Sequence, residues 1–246
     1  VAAPASPVHT GCAGWSLPRD SWPAFAEAGT HLQRYAGRLM AAEINSSFYR
    51  PHQPATYERW AGSVPHHFRF SVKLPKTITH ERRLRDCGGL LDGFLAQAAG
   101  LGDKLGCLLV QLPPSLVFDA AAAPSFFKAL RAQHAGPVAL EPRHASWFTP
   151  DVDAALEKWR IARVLADPVR HAPGAAPGGW PGLVYVRLHG SPRMYYSAYG
   201  QATLQALALK LRESADSGEA VWCIFDNTAS GAAVSNALEL DALLKD

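Results

Sequence analysis

Eight short strand-like runs alternating with helix-like stretches predict a single (β/α)8 TIM-type barrel over residues 8–246 of this 246-residue chain. Two further observations narrow the choice. No G-x-G-x-x-G follows the first strand, which weighs against an open dinucleotide-binding sheet, the main alternative. Several runs also carry apolar residues on one face and polar residues on the other with period two. A closed barrel uses both faces, turning the apolar set to the helix ring and the polar set to the lumen.

The strands are expected at 9–13, 41–45, 68–73, 107–112, 138–143, 163–167, 183–189 and 221–226. The clearest helices, rich in Ala, Leu, Arg and Glu, are expected at 30–40, 89–101, 124–134, 150–159, 201–215 and 231–244. In the third strand Phe68, Phe70, Val72 and Leu74 stand opposite Arg69, Ser71 and Lys73. In the fifth, Val138, Leu140 and Pro142 oppose Ala139, Glu141 and Arg143, and in the seventh Val184, Val186 and Leu188 oppose Tyr185, Arg187 and His189. Two connections are irregular: 168–181 is rich in Pro and Gly, and 190–200 holds Tyr195, Tyr196 and Tyr199. Loops of this kind commonly bind ligands or act as lids.

Hydrophobic residues make up 48% of the chain, enough for a sizeable core and too many for disorder. A formal net charge of +3 neither demands nor excludes nucleic acid. The four cysteines form no C-x-x-C pair, so zinc-ribbon and thioredoxin-type motifs are absent, and buried reduced thiols are expected. No run of about 18 apolar residues is present, so no membrane-spanning helix is expected. Residues 1–7 lack a basic segment followed by an apolar one and read as a mobile leader, not a secretory signal, which points to the cytoplasm.

Catalytic groups of such barrels come from the C-terminal strand ends and the loops beyond them. The strand ends supply Glu43 and Asn45, Lys73, Gln111, Glu141 with Arg143, Asp167, Arg187 with His189, and Asp226 with Asn227. With Arg69 deeper down, four bases and four acids are expected inside. A mutually compensating ion-pair network is one reading of that balance. Function is the other, because buried ion pairs are often no better for stability than apolar residues. Glu141, Asp167, His189 and Asp226, from successive strands, resemble the ligand order of sugar-isomerase and endonuclease-IV-like barrels. They are the candidate ligands for the one cofactor considered, a divalent Mn²⁺, Mg²⁺ or Zn²⁺ ion. Arg143 and Arg187 would oppose that ion's charge. His80, in a loop after the third strand, is a candidate base or phosphate contact, and Trp147 and Tyr199 are candidate stacking residues at the mouth.

Taken together, these motifs resemble the YecE-like family, known as a domain of unknown function. The matching pieces are Gly11-Cys12-Ala13-Gly14-Trp15, Ala42-Glu43-Ile44-Asn45-Ser46-Ser47-Phe48-Tyr49 and Phe70-Ser71-Val72-Lys73 with Thr79-His80. Further on come Gln111-Leu112-Pro113-Pro114, Glu141-Pro142-Arg143-His144-Ala145-Ser146-Trp147, Arg187-Leu188-His189-Gly190 and Asp226-Asn227. The resemblance implies a TIM-type barrel and supplies no reaction. The family's usual Asn-Asn pair is Asp226-Asn227 here, and Pro142 replaces a common aromatic.

The functional expectation is an enzyme, a hydrolase or isomerase, for a small polar, anionic or sugar-like substrate. Glu43, Glu141, His189 and Asp167 are the candidate catalytic groups. Asn45, Lys73, His80, Gln111, Arg143, Trp147, Arg187, Asn227 and Tyr199 are the candidate substrate contacts. The alternatives are a metal-dependent phosphodiesterase or nuclease and a non-catalytic ligand-binding scaffold; nucleic acid is the less favoured partner, and no membrane partner is expected.

Overall fold

Ten strands form one sheet that curls almost to closure in the computed structural model, which describes residues 6–245. They are β1 (Val8–Ala13), β2 (Ala41–Ile44), β3 (Arg69–Lys73), β4 (Leu105–Gln111) and β5 (Val138–Glu141). They continue as β6 (Ile161–Arg163), β7 (Leu165–Asp167), β8 (Gly178–Gly179), β9 (Leu183–Leu188) and β10 (Ala220–Phe225). The order across the sheet is β7-β9-β10-β1-β2-β3-β4-β5-β6-β8, parallel throughout except where β8 pairs with β6.

Only Val164 separates β6 from β7, and its N–H donates to the Leu140 carbonyl at 2.9 Å. The two strands are therefore one stave that pairs with β5 at its start and with β9 at its end. Eight staves result, and this change of partner closes the TIM-type barrel. The sixth stave begins at Ile161, earlier than the sequence pattern indicated, and β8 is an antiparallel addition that the pattern did not show.

The helices are α1 (His31–Ala36), α2 (Ser46–Tyr49), α3 (Pro54–Gly62), α4 (Gly88–Ala98), α5 (Ala122–Gln133), α6 (Pro150–Lys158), α7 (Gln201–Asp216) and α8 (Ala232–Lys245). Thr30 opens α1 with a capping box to Gln33, and Thr149 caps α6 ahead of Pro150. Neither α2 nor α3 was expected; the signal for α3 was Pro54, whose missing N–H costs nothing in a first turn. Between β7 and β9 the chain's helical structure is limited to a short 3-10 turn, Ala172–Ala175, because its prolines and glycines cannot sustain a longer helix.

Period two sorts the strand side chains into two cores. Phe68, Phe70, Val72, Leu140, Val184, Val186 and Leu188 pack between barrel and helices. Cys107, Leu109, Ala139, Ala162, Val164, Tyr185, Trp222 and Ile224 fill the lumen. Each fully buried large apolar side chain contributes roughly 1.5–3 kcal/mol. At Gly11 a Cβ would lie 1.9 Å from the Ala41 carbonyl oxygen, so β1 meets β2 here only because residue 11 has no side chain.

The four cysteines are free and buried. Among the described residues no helix is long and apolar enough to cross a membrane. Of the expected leader, residues 1–5 lie outside the described residues, while the Ser6 N–H donates to the Ala215 carbonyl at the end of α7.

Candidate active site

Strand parity puts Glu43 of β2, Ser71 and Lys73 of β3, Gln111 of β4, Glu141 of β5 and Arg187 of β9 on the lumen side. Register carries the same pattern across strands: Glu43 lies beside Ser71, Gln111 beside Glu141, and Arg187 beside the lumen residue Ile224. His189 and Asp226 follow just past the ends of β9 and β10.

Arg187 is the hub, with no exposed surface. Its Nε and Nη2 donate to Glu43 Oε2 and Oε1 at 3.0 and 2.7 Å, a bidentate pair. Nη1 donates to Glu141 Oε2 at 2.5 Å, and Nη2 also reaches Asp226 Oδ2 at 3.1 Å. Burial alone would lower the Arg187 pKa, but the three carboxylates hold it well above its ordinary value. Burial likewise works to raise the Glu141 and Asp226 pKa values. The charges of Arg187 and His189 outweigh it and hold Glu141 well below, and Asp226 below, the usual carboxylate range.

His189 lies between two carboxylates, Nε2 at 2.9 Å from Glu141 Oε1 and Nδ1 at 3.0 Å from Asp226 Oδ2. Carboxylates only accept, so both ring nitrogens carry protons and the ring is an imidazolium. Burial disfavours that charge, yet Glu141 and Asp226 raise the His189 pKa above 6.5. Under the hub, the Tyr185 hydroxyl contacts Glu43 Oε2 and Ser71 Oγ, each at 2.8 Å. Tyr185 and Ser71 were missed as candidates, although both already stood on the polar face of an alternating strand.

Nearer solvent, Arg143 Nη2 and Nε donate to Glu141 Oε1 at 3.1 and 3.3 Å, and Gln111 Nε2 reaches Glu141 Oε2 at 3.4 Å. Lys73 Nζ stands 4.2 Å from the centre of the Phe48 ring. His80 Nδ1 meets Thr79 Oγ1 at 2.8 Å and its ring packs edge-on against Phe48. Burial and the charges of Lys73 and Arg143 lower the His80 pKa. Asn45 lies beyond β2, at the start of α2, with its Oδ1 buried and without a hydrogen-bond partner.

Four expectations need correcting. Asp167 does not enter the lumen: it lies beside Leu188 in register, on the outward face, and its Oδ1 accepts from the Tyr199 hydroxyl at 2.7 Å. Tyr199 is accordingly a clip, its oxygen also accepting from the Gly190 N–H at 2.8 Å. Trp147 is buried, donating to the Leu116 carbonyl and packing on Phe118, so its ring is not free to stack on a ligand. Asn227 binds the Ser197 carbonyl and Asn236, tying loop 190–200 to α8. Arg69, the base expected deeper down, lies at the N-terminal end of β3 and donates to the His66 and Phe68 carbonyls.

The expected metal set is therefore not formed. Asp167 faces out, and the other three candidates are bound to Arg187 or to one another. Among the described residues no group of three or more His, Cys, Asp or Glu side chains is placed to hold a metal ion. The recess touching Glu141, Arg143 and His189 is also small, about 20 Å³, room for about one water. Pro168, Val169, Arg170 and Gly174 of the irregular loop help to wall it.

These features define a TIM-type barrel whose C-terminal mouth is built around a buried, charge-bearing hub. Residues 9–246 match the family model described as "Protein of unknown function DUF72", and the chain belongs to that family. It is 24% identical to the UPF0759 protein YunF of Bacillus subtilis (strain 168), over 96% of this chain and 94% of that protein. With the UPF0759 protein YecE of Escherichia coli (strain K12) it shares 35% identity over 98 residues, 39% of this chain and only 36% of YecE. Its fold is similar to that of a DUF72 family protein from Enterococcus faecalis V583, at a TM-score of 0.81 and 21% identity, covering 98% of this chain and 96% of that one. A DUF72 family protein from Thermotoga maritima MSB8 gives 0.78 and 23%, covering 97% and 99%.

Proposed function

We propose that this barrel is an acid–base enzyme, a hydrolase or isomerase, acting on a small anionic or sugar-like substrate at its C-terminal mouth. One observation carries the reading: the His189 imidazolium is held between two carboxylates directly below a cationic rim. With Arg69 and Asp167 outside the cluster, three bases (Lys73, Arg143, Arg187) face three acids (Glu43, Glu141, Asp226). The protonated His189 tips the balance positive, which favours an anion.

In this reading Arg143 and Lys73 hold the anionic group of the substrate. His189 gives up a proton and Glu141, beside it, receives one, while Arg187 keeps Glu141 and Asp226 ionised. Glu43 is fully buried beneath Arg187, so its part is to position the guanidinium. The Pro- and Gly-rich loop 168–181 admits the substrate by moving away from His189. The recessed charges suit a small molecule better than a nucleic-acid backbone. Four free thiols suit a reducing compartment, and we place the enzyme in the cytoplasm.

Arg143→Ala tests this reading. Arg143 touches only Glu141 among the acids, and Glu141 keeps Arg187 and His189 as partners, so the stability loss should stay near 1 kcal/mol. Titration calorimetry with inorganic phosphate, small hydroxy acids and sugar phosphates should show binding that weakens about tenfold or more in the variant. Equal affinity for the whole panel in both proteins overturns the reading. Binding without turnover of any bound compound assigns the mouth to ligand sensing instead.

A further inference from the structure

Every cation in the cluster around Glu141 hydrogen-bonds an acid except one. Arg143, Arg187 and His189 all do so. Lys73 has no carboxylate oxygen within 4.0 Å of its Nζ and no hydrogen-bond acceptor among the described residues, although the residue is only 8% exposed. What it has is the face of Phe48. Below it, the Ser47 hydroxyl donates to the Lys73 carbonyl at 2.6 Å and fixes the strand end. A largely buried ammonium without a paired acid costs more than a paired one, so ion pairing does not account for a lysine here.

Charged groups surround it from several elements: Arg187 of β9, Glu43 of β2, Glu141 of β5 and Asp226 after β10, with Arg143 and His80 at the rim. Burial, helped by the Arg187 charge, outweighs the three carboxylates and brings the Lys73 pKa down to about 8. A lysine desolvated beside another cation becomes a nucleophile near neutral pH, because part of the population is the free amine.

We propose that Lys73 is a nucleophilic amine that forms a Schiff base with the carbonyl carbon of a small anionic aldehyde or ketone held at the barrel mouth. The proposal rests on reading the mouth as an anion-binding catalytic site, and it narrows the substrate to carbonyl compounds. The Nζ lone pair attacks the carbonyl carbon and the C=O π pair moves to oxygen. A proton passes from nitrogen to that oxygen, giving a carbinolamine. Uptake of one solvent proton lets the hydroxyl leave as water while the nitrogen lone pair forms the C=N bond. No electrons enter or leave, and the product is an iminium ion plus one water.

Trapping tests the proposal on the wild-type chain. The protein is incubated at pH 7.5 with glyoxylate or pyruvate and sodium borohydride, whose hydride reduces C=N to a stable secondary amine. Digestion and mass spectrometry then quantify the adduct at each lysine. Lys73 should carry about tenfold or more adduct than the exposed Lys76, Lys128, Lys158, Lys210 and Lys245. Labelling of Lys73 at or below their level overturns the proposal. Lys73→Arg keeps the charge and should lose the adduct. If phosphate binds the wild type and no adduct forms, the nucleophile falls alone; if neither occurs, the anion site falls with it.

Discussion

Replacing Arg187 by Met removes the guanidinium and keeps much of its volume. Glu141 would still have Arg143 and His189, and Asp226 would still have His189. Glu43 would keep only the Tyr185 hydroxyl, in a site with no exposed surface. It must then stay charged without a cation or take up a proton. Breaking a buried pair from one side costs about 3–5 kcal/mol. Protonating an ordinary glutamate, with a pKa of about 4.3, costs about 3.7 kcal/mol at pH 7 and about 1 kcal/mol at pH 5. The two routes agree, so Arg187→Met should lose about 4 kcal/mol at pH 7, roughly 8–16 °C in melting temperature for a chain of this size. Urea denaturation at pH 7 and pH 5 reads both values, and the loss should shrink at the lower pH. Adding Glu43→Met to the same variant should restore most of the stability, because the orphaned charge is gone. A single variant that melts within 2 °C of wild type (about 1 kcal/mol or less), or a loss independent of pH, would refute the account of Arg187 as the charge that holds Glu43.

Two further outcomes follow from the same geometry. The His189 pKa is raised on folding, so the stability it contributes is complete below pH 6.5 and is lost as pH rises through the raised folded value. The stability gap between wild type and His189→Gln should therefore narrow from pH 6 to pH 9, and a gap that widens contradicts the imidazolium assignment. Tyr199→Phe removes a hydroxyl that bonds Asp167 and receives the Gly190 N–H, and should cost about 1–3 kcal/mol. Faster amide exchange should be confined to loop 190–200 and the adjoining Asp167, with phosphate affinity unchanged; loss of that affinity would return Tyr199 to the list of ligand contacts.

The barrel and most of its mouth were legible because alternation is unambiguous where a strand has one apolar and one polar face. Tyr185, Arg187 and His189 announce their side of β9, as Ser71 and Lys73 do on β3. The sixth stave gave no such contrast. Ala162, Val164 and Ala166 are small and apolar yet face the lumen, while Arg163 and Asp167 share the outward face with Ile161 and Leu165. Small residues belong inside there because large ones arrive from across the sheet: Ala166 lies beside Arg187 in register. A carboxylate at a strand end was read as a mouth residue, although Arg163, four positions earlier, already pointed to the helix layer, where it pairs with Asp153. Asn227 and Tyr199 also end strands or enter loops, but the Asn227 amide nitrogen and the Tyr199 hydroxyl are consumed in holding those loops. Sequence position marks the height of such a residue in the barrel and leaves its partner open.

The hub has a consequence beyond holding charge. Glu141 and Asp226 draw the His189 pKa upward, while burial and the neighbouring Arg187 bring Lys73 down to about 8. A buried ion-pair network serving stability alone would give every cation an acid, and Lys73 breaks that rule. The same arginine that keeps the carboxylates ionised also drives protons off the amine. The mouth thereby brings together an imidazole whose proton two carboxylates hold and an amine that burial, helped by Arg187, disposes to lose one. That division of protonation states is what acid–base and carbonyl chemistry require.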